Sequence, residues 1–238
     1  SALTLIGGGT VALRNDHRKL FNLIERRPIG MMFFGVADMM GHPWEHLIEH
    51  YQKKIRPQAF GHVRDYSVNF TAMMDDLEEF FPRAKQRDEY RRLLASVFRY
   101  IFHLAQFMSD NAEGERQGDN AILEAAIERV WRDYQFREDG SPRADLSCFP
   151  PNFGPVVQRE YAQQIEEIVA YGFGQFPLSP GAMQRLREIA IYAVVKDLFL
   201  EDVTGLVFAG FGKDERYPNM VTVFASAMVG GYLKRAEA

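Results

Sequence analysis

The stretch PIGMMFFGVADMMG, residues Pro28 to Gly41, decides the fold of this chain. Between Ile29 and Ala37 it carries no charged side chain, which is typical of a strand covered on both faces. The run is far too short to cross a bilayer. A turn at Gly41 follows, and Pro43 then favours a helix start, because the fixed φ angle of proline suits the first helical turn. The stretch therefore predicts a central strand that leads directly into a helix.

The residues before this stretch predict a β-hairpin and a further short strand. Leu3–Ile6 and Thr10–Leu13 flank three glycines, a pattern typical of two strands joined by a tight turn. In the strand predicted at Lys19–Ile24, alternation places Lys19 on the same face as Phe21 and Leu23. The lysine either reaches solvent at the strand end or is held partly buried, and the pattern leaves both interpretations open.

The residues after this stretch predict a long helical section and then a return to strands. A helix is expected at Pro43–Ile55, and residues 56–203 are interpreted as a predominantly helical insertion. Within it, amphipathic patterns predict helices at Tyr66–Phe81, Arg87–Met108, Asn120–Phe136, Pro155–Tyr171 and Pro180–Leu200. Strands are predicted at Thr204–Phe211 and Pro218–Ala225, with a third at Ala227–Leu233. Strands, then helices, then strands favour the α+β class with an antiparallel sheet.

The composition narrows the classes of function. With 47% hydrophobic and 25% charged residues, it is that of an ordinary globular protein. The net charge of −4 gives no electrostatic basis for binding nucleic acid or an anionic membrane, so neither is expected as a partner. Cys148 is the only cysteine, which excludes an internal disulfide and fits a reducing compartment. No secretory signal pattern opens the sequence, so a cytoplasmic location is expected.

Several of these stretches, taken in order, resemble the proteasome β-type N-terminal-nucleophile (Ntn) hydrolases. Ser1-Ala-Leu-Thr is similar to the segment after Ala-Asp in the family's ALAADS strand. Lys19-Leu-Phe-Asn-Leu is similar to its K-I/L-F/Y-x-L/I strand. Ile29–Asp38 resembles the family's IG…AG-x-A-D strand and helix start. Leu206–Gly212 with Pro218 resembles its LLAGYD…P-x-L hairpin.

A narrower resemblance points to one branch of that family. Pro28–Gly35, together with PWEHLI at Pro43–Ile48, resembles a poorly characterised bacterial branch that carries a long helical insertion. The resemblance implies an αββα sandwich, with residues 1–238 forming one Ntn-hydrolase-like domain and 56–203 its insertion. It also implies a homo-oligomer.

The resemblance further implies hydrolysis of amide bonds, with a peptide or amide as substrate and no cofactor or metal. The nucleophile in this family is the side chain of the N-terminal residue, and its own α-amine accepts the proton. Carried over, Lys19 is the catalytic lysine, whose positive charge lowers neighbouring pKa values and steadies negative charge. The backbone N–H of Gly35 becomes the oxyanion donor. Phe33 lines the pocket for the substrate side chain, with plain core packing as its alternative interpretation.

The sequence departs from the family pattern at both ends. The nucleophile strand, the aspartate that orients the lysine, and the Gly-Ser-Gly helix after the hairpin are not found. The sequence is therefore expected to represent the middle of such a protein. Ser1 has the hydroxyl and amine of a nucleophile if it is a processed N-terminus. A non-catalytic scaffold or binding module on the same fold is the alternative.

A second alternative is a zinc hydrolase. His46-Leu-Ile-Glu49-His50 spells H-x-x-E-H, and a helix places both histidines on one face. In that interpretation the histidines bind Zn²⁺ and Glu49 acts as the base. A third ligand is required, and the sequence does not single one out among Glu78, Glu79, Glu124 and Glu128. The competing interpretation is a solvated helix face.

Overall fold

The computed structural model describes residues 2–6, 10–14, 20–24, 28–55, 58–111, 118–200 and 202–238. Within these ranges the chain forms nine strands and seven helices. The strands are β1 (Ala2–Ile6), β2 (Thr10–Arg14), β3 (Leu20–Asn22), β4 (Ile29–Gly35), β5 (Asp38–Met39), β6 (His42–Pro43), β7 (Thr204–Gly210), β8 (Asn219–Val229) and β9 (Tyr232–Glu237). The helices are α1 (Trp44–Ile55), α2 (Val63–Asp76), α3 (Arg83–Asp110), α4 (Asp119–Gln135), α5 (Phe153–Glu160), α6 (Ala162–Phe173) and α7 (Pro180–Val195).

The fold belongs to the α+β class, as the order of elements predicts. The largest sheet has five strands in the order β3-β4-β7-β8-β9, and β3, β4 and β7 run antiparallel. β1 and β2 form the predicted antiparallel pair, with Ala2 opposite Arg14 and Ile6 opposite Thr10. The three glycines predicted to turn between them lie outside the described residues.

The chain divides into two compact units, with boundaries inside α2, β8 and β9. The first unit comprises Ser1–Met73, Thr204–Val223 and Glu237–Ala238. The second comprises Met74–Val203 and Phe224–Ala236. The helices α3 to α7 all belong to the second unit. That residues 56–203 are an insertion into an Ntn-hydrolase-like domain stays a prediction.

The core of the first unit forms on one face of β4. Ile29, Met31 and Phe33 alternate on this face and are buried, as a period of two requires. Facing them, α1 buries the stripe Trp44, Leu47, Ile48, Tyr51 and Ile55. Phe70 of α2 lies edge-on to Phe208 of β7, with the ring centroids 5.8 Å apart. On the other face of β4, Met32 and Phe34 are 43% and 48% exposed. The sequence predicted that both faces of this strand are covered, but only one of them is buried.

The core of the second unit forms where α3 to α7 meet. The tyrosines at positions 90, 134 and 161 are buried among aliphatic residues of these helices. The hydroxyl of Tyr90 donates to the carbonyl of Ala190 at 2.9 Å, so this buried polar group is satisfied. Phe149 and Phe153 stack with their centroids 4.8 Å apart. The long proline-containing loop before α5 is thus tied into the core by Phe149 and is not a free linker.

Several predicted boundaries are wrong. The helix expected at Tyr66–Phe81 spans Val63–Asp76 and therefore ends five residues earlier than predicted. The helix expected at Pro155–Tyr171 is two helices, because Tyr161 adopts φ −115° and ψ 14°, outside the helical region. The last long helix ends at Val195 rather than Leu200. The third strand expected at Ala227–Leu233 is interrupted at Gly230 and Gly231, which have φ angles of 61° and 86°. Positive φ at both positions is the requirement of a two-residue hairpin turn, so β8 ends before the pair and β9 begins after it.

Replacing Gly210 with alanine is expected to lower the free energy of unfolding by about 2 kcal/mol. Gly210 has a φ of 138°, and a Cβ there would lie 1.9 Å from the backbone oxygen of Pro28. Gly172→Ala is the matched control. Gly172 lies within α6, and a Cβ there would be an ordinary 3.8 Å from the ring of Phe98. That change should instead stabilise the protein by about 0.5–1 kcal/mol. Urea unfolding measures both, and equal effects of the two substitutions would contradict the register of β4 and β7.

Candidate functional site

Two of the residues that the sequence assigns to a site, Phe33 and Gly35, are described by the structure, and both lie near the end of β4. Gly35 is the last residue of β4 and pairs with Thr204, the first residue of β7. It is exposed and has a φ of 87°, in the left-handed region that favours glycine. Lys19 and Ser1 lie outside the described residues, so their distance from Gly35 stays a prediction.

The backbone that follows Gly35 is fixed by three hydrogen bonds that involve Thr204 and Trp44. The hydroxyl of Thr204 donates to the carbonyl of Val36 at 2.9 Å. The same hydroxyl accepts from the indole N–H of Trp44 at 3.0 Å, and both residues are buried. The backbone N–H of Trp44 donates to the carbonyl of Ala37 at 3.1 Å. The end of β4 is therefore held by β7 and by the start of α1, as a preorganised backbone donor requires.

Phe33 lies in the core of the first unit. It is 4% exposed, and its ring stacks on Phe21 of β3 with the centroids 6.3 Å apart and the planes at 20°. This geometry fits the core-packing interpretation of Phe33. That it also contacts a substrate stays a prediction.

The opposite face of the same strands carries apolar side chains that are open to solvent. Leu20 of β3 pairs with Met32 of β4, and Leu20 is 65% exposed. Phe34 lies over Gly205, where a Cβ would come within 2.1 Å of its ring. This apolar sheet face, defined by Leu20, Met32 and Phe34, adjoins Gly35.

The two histidines of the zinc alternative lie on α1. His46 is exposed and His50 is partly buried. Across the described ranges, no group of three or more His, Cys, Asp or Glu side chains is arranged to hold a metal ion. The third ligand that zinc catalysis needs is therefore not supplied by the part of the chain that the structure describes.

Sequence reasoning did not find a buried lysine in the second unit. Lys234 of β9 is 1% exposed, and its Nζ donates to the carbonyls of Ala193 and Leu198 at 2.8 and 2.7 Å. Nζ also lies 4.4 Å from the ring centroid of Phe199. Burial lowers the pKa of this ammonium from 10.5 to about 7, although the charge of Asp197 opposes the shift. The alternating pattern of β9 gives no sign of it, because polar residues are ordinary in an edge strand.

The structural interpretation of Lys234 is the simpler one. Ala193 is among the last four residues of α7, whose carbonyls have no partner within the helix. A cation at this end also interacts favourably with the helix dipole. Lys234 therefore caps α7 and joins β9 to it, and nothing in its surroundings points to a substrate.

An ion pair beside Lys234 holds the same strand. Arg235 donates to Asp75 at 2.8 Å, and the backbone N–H of Leu233 donates to the other carboxylate oxygen at 2.8 Å. Burial raises the pKa of Asp75, while the two donors oppose that shift. Both charged side chains are about four-fifths buried, so this pair attaches β9 to the end of α2.

Comparison with protein-family models, with curated proteins and with solved structures finds no match to this chain. Within the described ranges, every helix is too short or too polar to cross a bilayer. The functional proposal consequently rests on the geometry of the chain itself and on the resemblance of its motifs.

Proposed function

We propose that this protein is an Ntn hydrolase of the proteasome β type that cleaves amide bonds in peptides or related amides. The observation that carries the proposal is the position of Gly35. This glycine ends the central strand, is exposed and has a left-handed backbone, and the carbonyl of the next residue, Val36, is held by the hydroxyl of Thr204. A backbone N–H in such a position is suited to an oxyanion, because it needs no rearrangement during the reaction.

The αββα sandwich is part of the same proposal. The strand order β3-β4-β7 puts β3, which begins at Leu20, next to the strand that ends at Gly35. The apolar sheet face of Leu20, Met32 and Phe34 supports a second layer on this side, since contiguous apolar surface is commonly covered. The hairpin of β1 and β2 is the part of the first unit that would contribute to this layer.

The chemistry needs few groups beyond Gly35. The N-terminal residue attacks the substrate carbonyl through its side chain, and its α-amine accepts the proton because it titrates near neutral pH. The ammonium of Lys19 stabilises the negative charge that develops during attack. The backbone N–H of Gly35 donates to the oxyanion of the tetrahedral intermediate, and Phe33 borders the pocket for the substrate side chain. Relatives of this type work as homo-oligomers, and the same is proposed here.

Replacing Lys19 with alanine tests the proposal in solution. Hydrolysis of a panel of fluorogenic peptide amides by protein made from the complete reading frame should fall by about 10²-fold or more. Lys53→Ala is the matched control, because Lys53 is an exposed lysine on α1. It should hydrolyse the panel at the unmodified rate.

Equal rates for Lys19→Ala and the unmodified protein would contradict a catalytic lysine. That result would favour the scaffold alternative, in which the fold binds a partner without reacting. Loss of activity in both Lys19→Ala and Lys53→Ala would also count against the proposal. It would show that removing any positive charge lowers the rate, wherever the lysine lies.

A further inference from the structure

A cavity in the second unit is lined by two basic side chains and one acidic side chain. It has a volume of about 350 Å³ and is lined by Arg83, Arg87, Glu160 and Tyr161. Arg83 and Arg87 are one turn apart on α3, so both guanidinium groups reach the same side of the helix. The guanidinium of Arg83 also lies against Gly231, where a Cβ would come within 2.8 Å of it.

Neither guanidinium group has a carboxylate partner in the ranges that the structure describes. Glu160 is the one acidic residue lining the cavity, and its carboxylate lies 4.0 Å from Arg159. Arg91, one turn further along α3, shows the contrasting arrangement, because it pairs with Asp88 and Glu167 at 3.0 and 2.9 Å. The two cavity arginines are therefore unusual among the arginines of this helix.

Their placement is also unfavourable for the helix. The first turn of α3 contains no acidic residue, although the N-terminal end of a helix favours negative charge. Two like charges four residues apart repel each other as well. A bound anion would relieve both effects, whereas no contact within the protein does so among the described residues.

Tyr161 forms the buried part of the cavity lining. The residue is 3% exposed, and its ring lies edge-on to Tyr90 with the centroids 4.7 Å apart. Its hydroxyl accepts from the backbone N–H of Gly230 at 2.9 Å. This hydrogen bond fixes the Tyr161 side chain against the turn between β8 and β9.

We propose that this cavity binds the phosphate group of a small phosphorylated molecule. Two guanidinium groups match the double charge of a phosphate monoester, and their planar forks suit its oxygens. A carboxylate fits less well, because it offers two oxygens to the two guanidinium forks, whereas a phosphate monoester offers three. The site lies wholly within the second unit and is independent of the proposed hydrolase function.

Titration of the full chain with inorganic phosphate at low ionic strength tests the proposal by calorimetry. We expect saturable binding of one phosphate per chain. Arg83→Gln and Arg87→Gln should each weaken it by about tenfold or more. Arg92→Gln is the matched control, because Arg92 lies on the same helix and pairs with Glu89 at 3.1 Å. It should change the affinity by less than about twofold.

Three results would overturn the proposal. These are the lack of saturable binding, an equal loss in Arg92→Gln, and acetate binding as tightly as phosphate. The substituted side chains of Arg83 and Arg87 are exposed, so the variants should unfold at the urea concentration of the unmodified protein. Arg87→Lys provides a second check, since it keeps the charge and loses the planar fork. Retention of full affinity in Arg87→Lys would contradict recognition by a guanidinium fork.

Discussion

Replacing Trp44 with alanine is expected to lower the free energy of unfolding by about 3–5 kcal/mol. The indole is fully buried beneath the sheet of the first unit, so its removal leaves a large cavity. The substitution also deprives the buried hydroxyl of Thr204 of the N–H that it accepts from. Because that hydroxyl holds the carbonyl of Val36, the same change should loosen the backbone next to Gly35.

Two further substitutions separate the effects of volume and of hydrogen bonding. Trp44→Phe keeps most of the ring and loses the N–H, so about 1–2 kcal/mol is expected. His46→Ala on the exposed face of α1 should stay within about 0.5 kcal/mol of the unmodified protein. Urea unfolding followed by circular dichroism gives all three values. A loss below about 1 kcal/mol for Trp44→Ala would contradict the burial of this side chain in the core.

Replacing Lys234 with methionine is expected to remove a large part of the pH dependence of stability. Burial lowers the pKa of Lys234 to about 7 in the folded protein, against 10.5 when the side chain is solvated. Between these two values the unfolded chain binds a proton that the folded chain does not. The free energy of unfolding therefore rises with pH across this window. Below pH 7 both states are protonated, and the folded state carries the full cost of a buried ammonium.

The expected size of this effect follows from the same shift. Between pH 6.5 and 9.5 the contribution of Lys234 should increase by about 3 kcal/mol in the unmodified protein and be lost in Lys234→Met. Burial raises the pKa of the Cys148 thiol, which opposes the trend at the upper end of this range. Cys148 is present in both proteins and its charge interacts with that of Lys234, so the difference between them reports the lysine together with this interaction.

Lys213→Met is the control for the effect of removing a lysine. Lys213 is exposed in the turn between β7 and β8, so its removal should leave the pH dependence unchanged. Urea midpoints across the pH range give the comparison. Identical profiles for Lys234→Met and the unmodified protein would contradict a desolvated ammonium at this position.

The local patterns predicted the elements that depend on neighbouring residues in the sequence. The uncharged stretch at Ile29–Gly35 is a strand. The residues that follow Pro43 form a helix whose apolar side chains, including Trp44, are buried. The boundaries of β4 and α1 could be predicted because the positions of glycine and proline and the spacing of apolar residues all indicate the same ends. The sequence predicted an antiparallel sheet but not which strands pair, so the pairing of Gly35 with Thr204 comes from the structure alone.

The predictions failed where the decisive contact is distant in sequence. The break at Tyr161 accompanies a hydroxyl that reaches Gly230, which no helical pattern can indicate. The burial of Lys234 depends on carbonyls about forty residues earlier, at the end of α7. By contrast, the turn at Gly230 and Gly231 could have been predicted. The glycine signal used for the first hairpin is equally present there.

The site itself was predictable only in part. Gly35 combines a strand end with the freedom of glycine, and both features are visible in the sequence. The hydrogen bonds from Trp44 to Thr204 and from Thr204 to Val36 are not, because they join residues separated by about 160 positions. The unpaired arginines at positions 83 and 87 resemble an ordinary solvated helix face until their neighbours are known.

The most direct measurement is the site of covalent modification by a β-lactone probe that acylates N-terminal nucleophiles. Protein from the complete reading frame is treated with the probe, and the adduct is located by peptide mass spectrometry. A proteasome-type Ntn hydrolase should carry one adduct, on the side chain of the first residue of the mature chain. An unmodified protein, or an adduct confined to other positions, would contradict the proposed function.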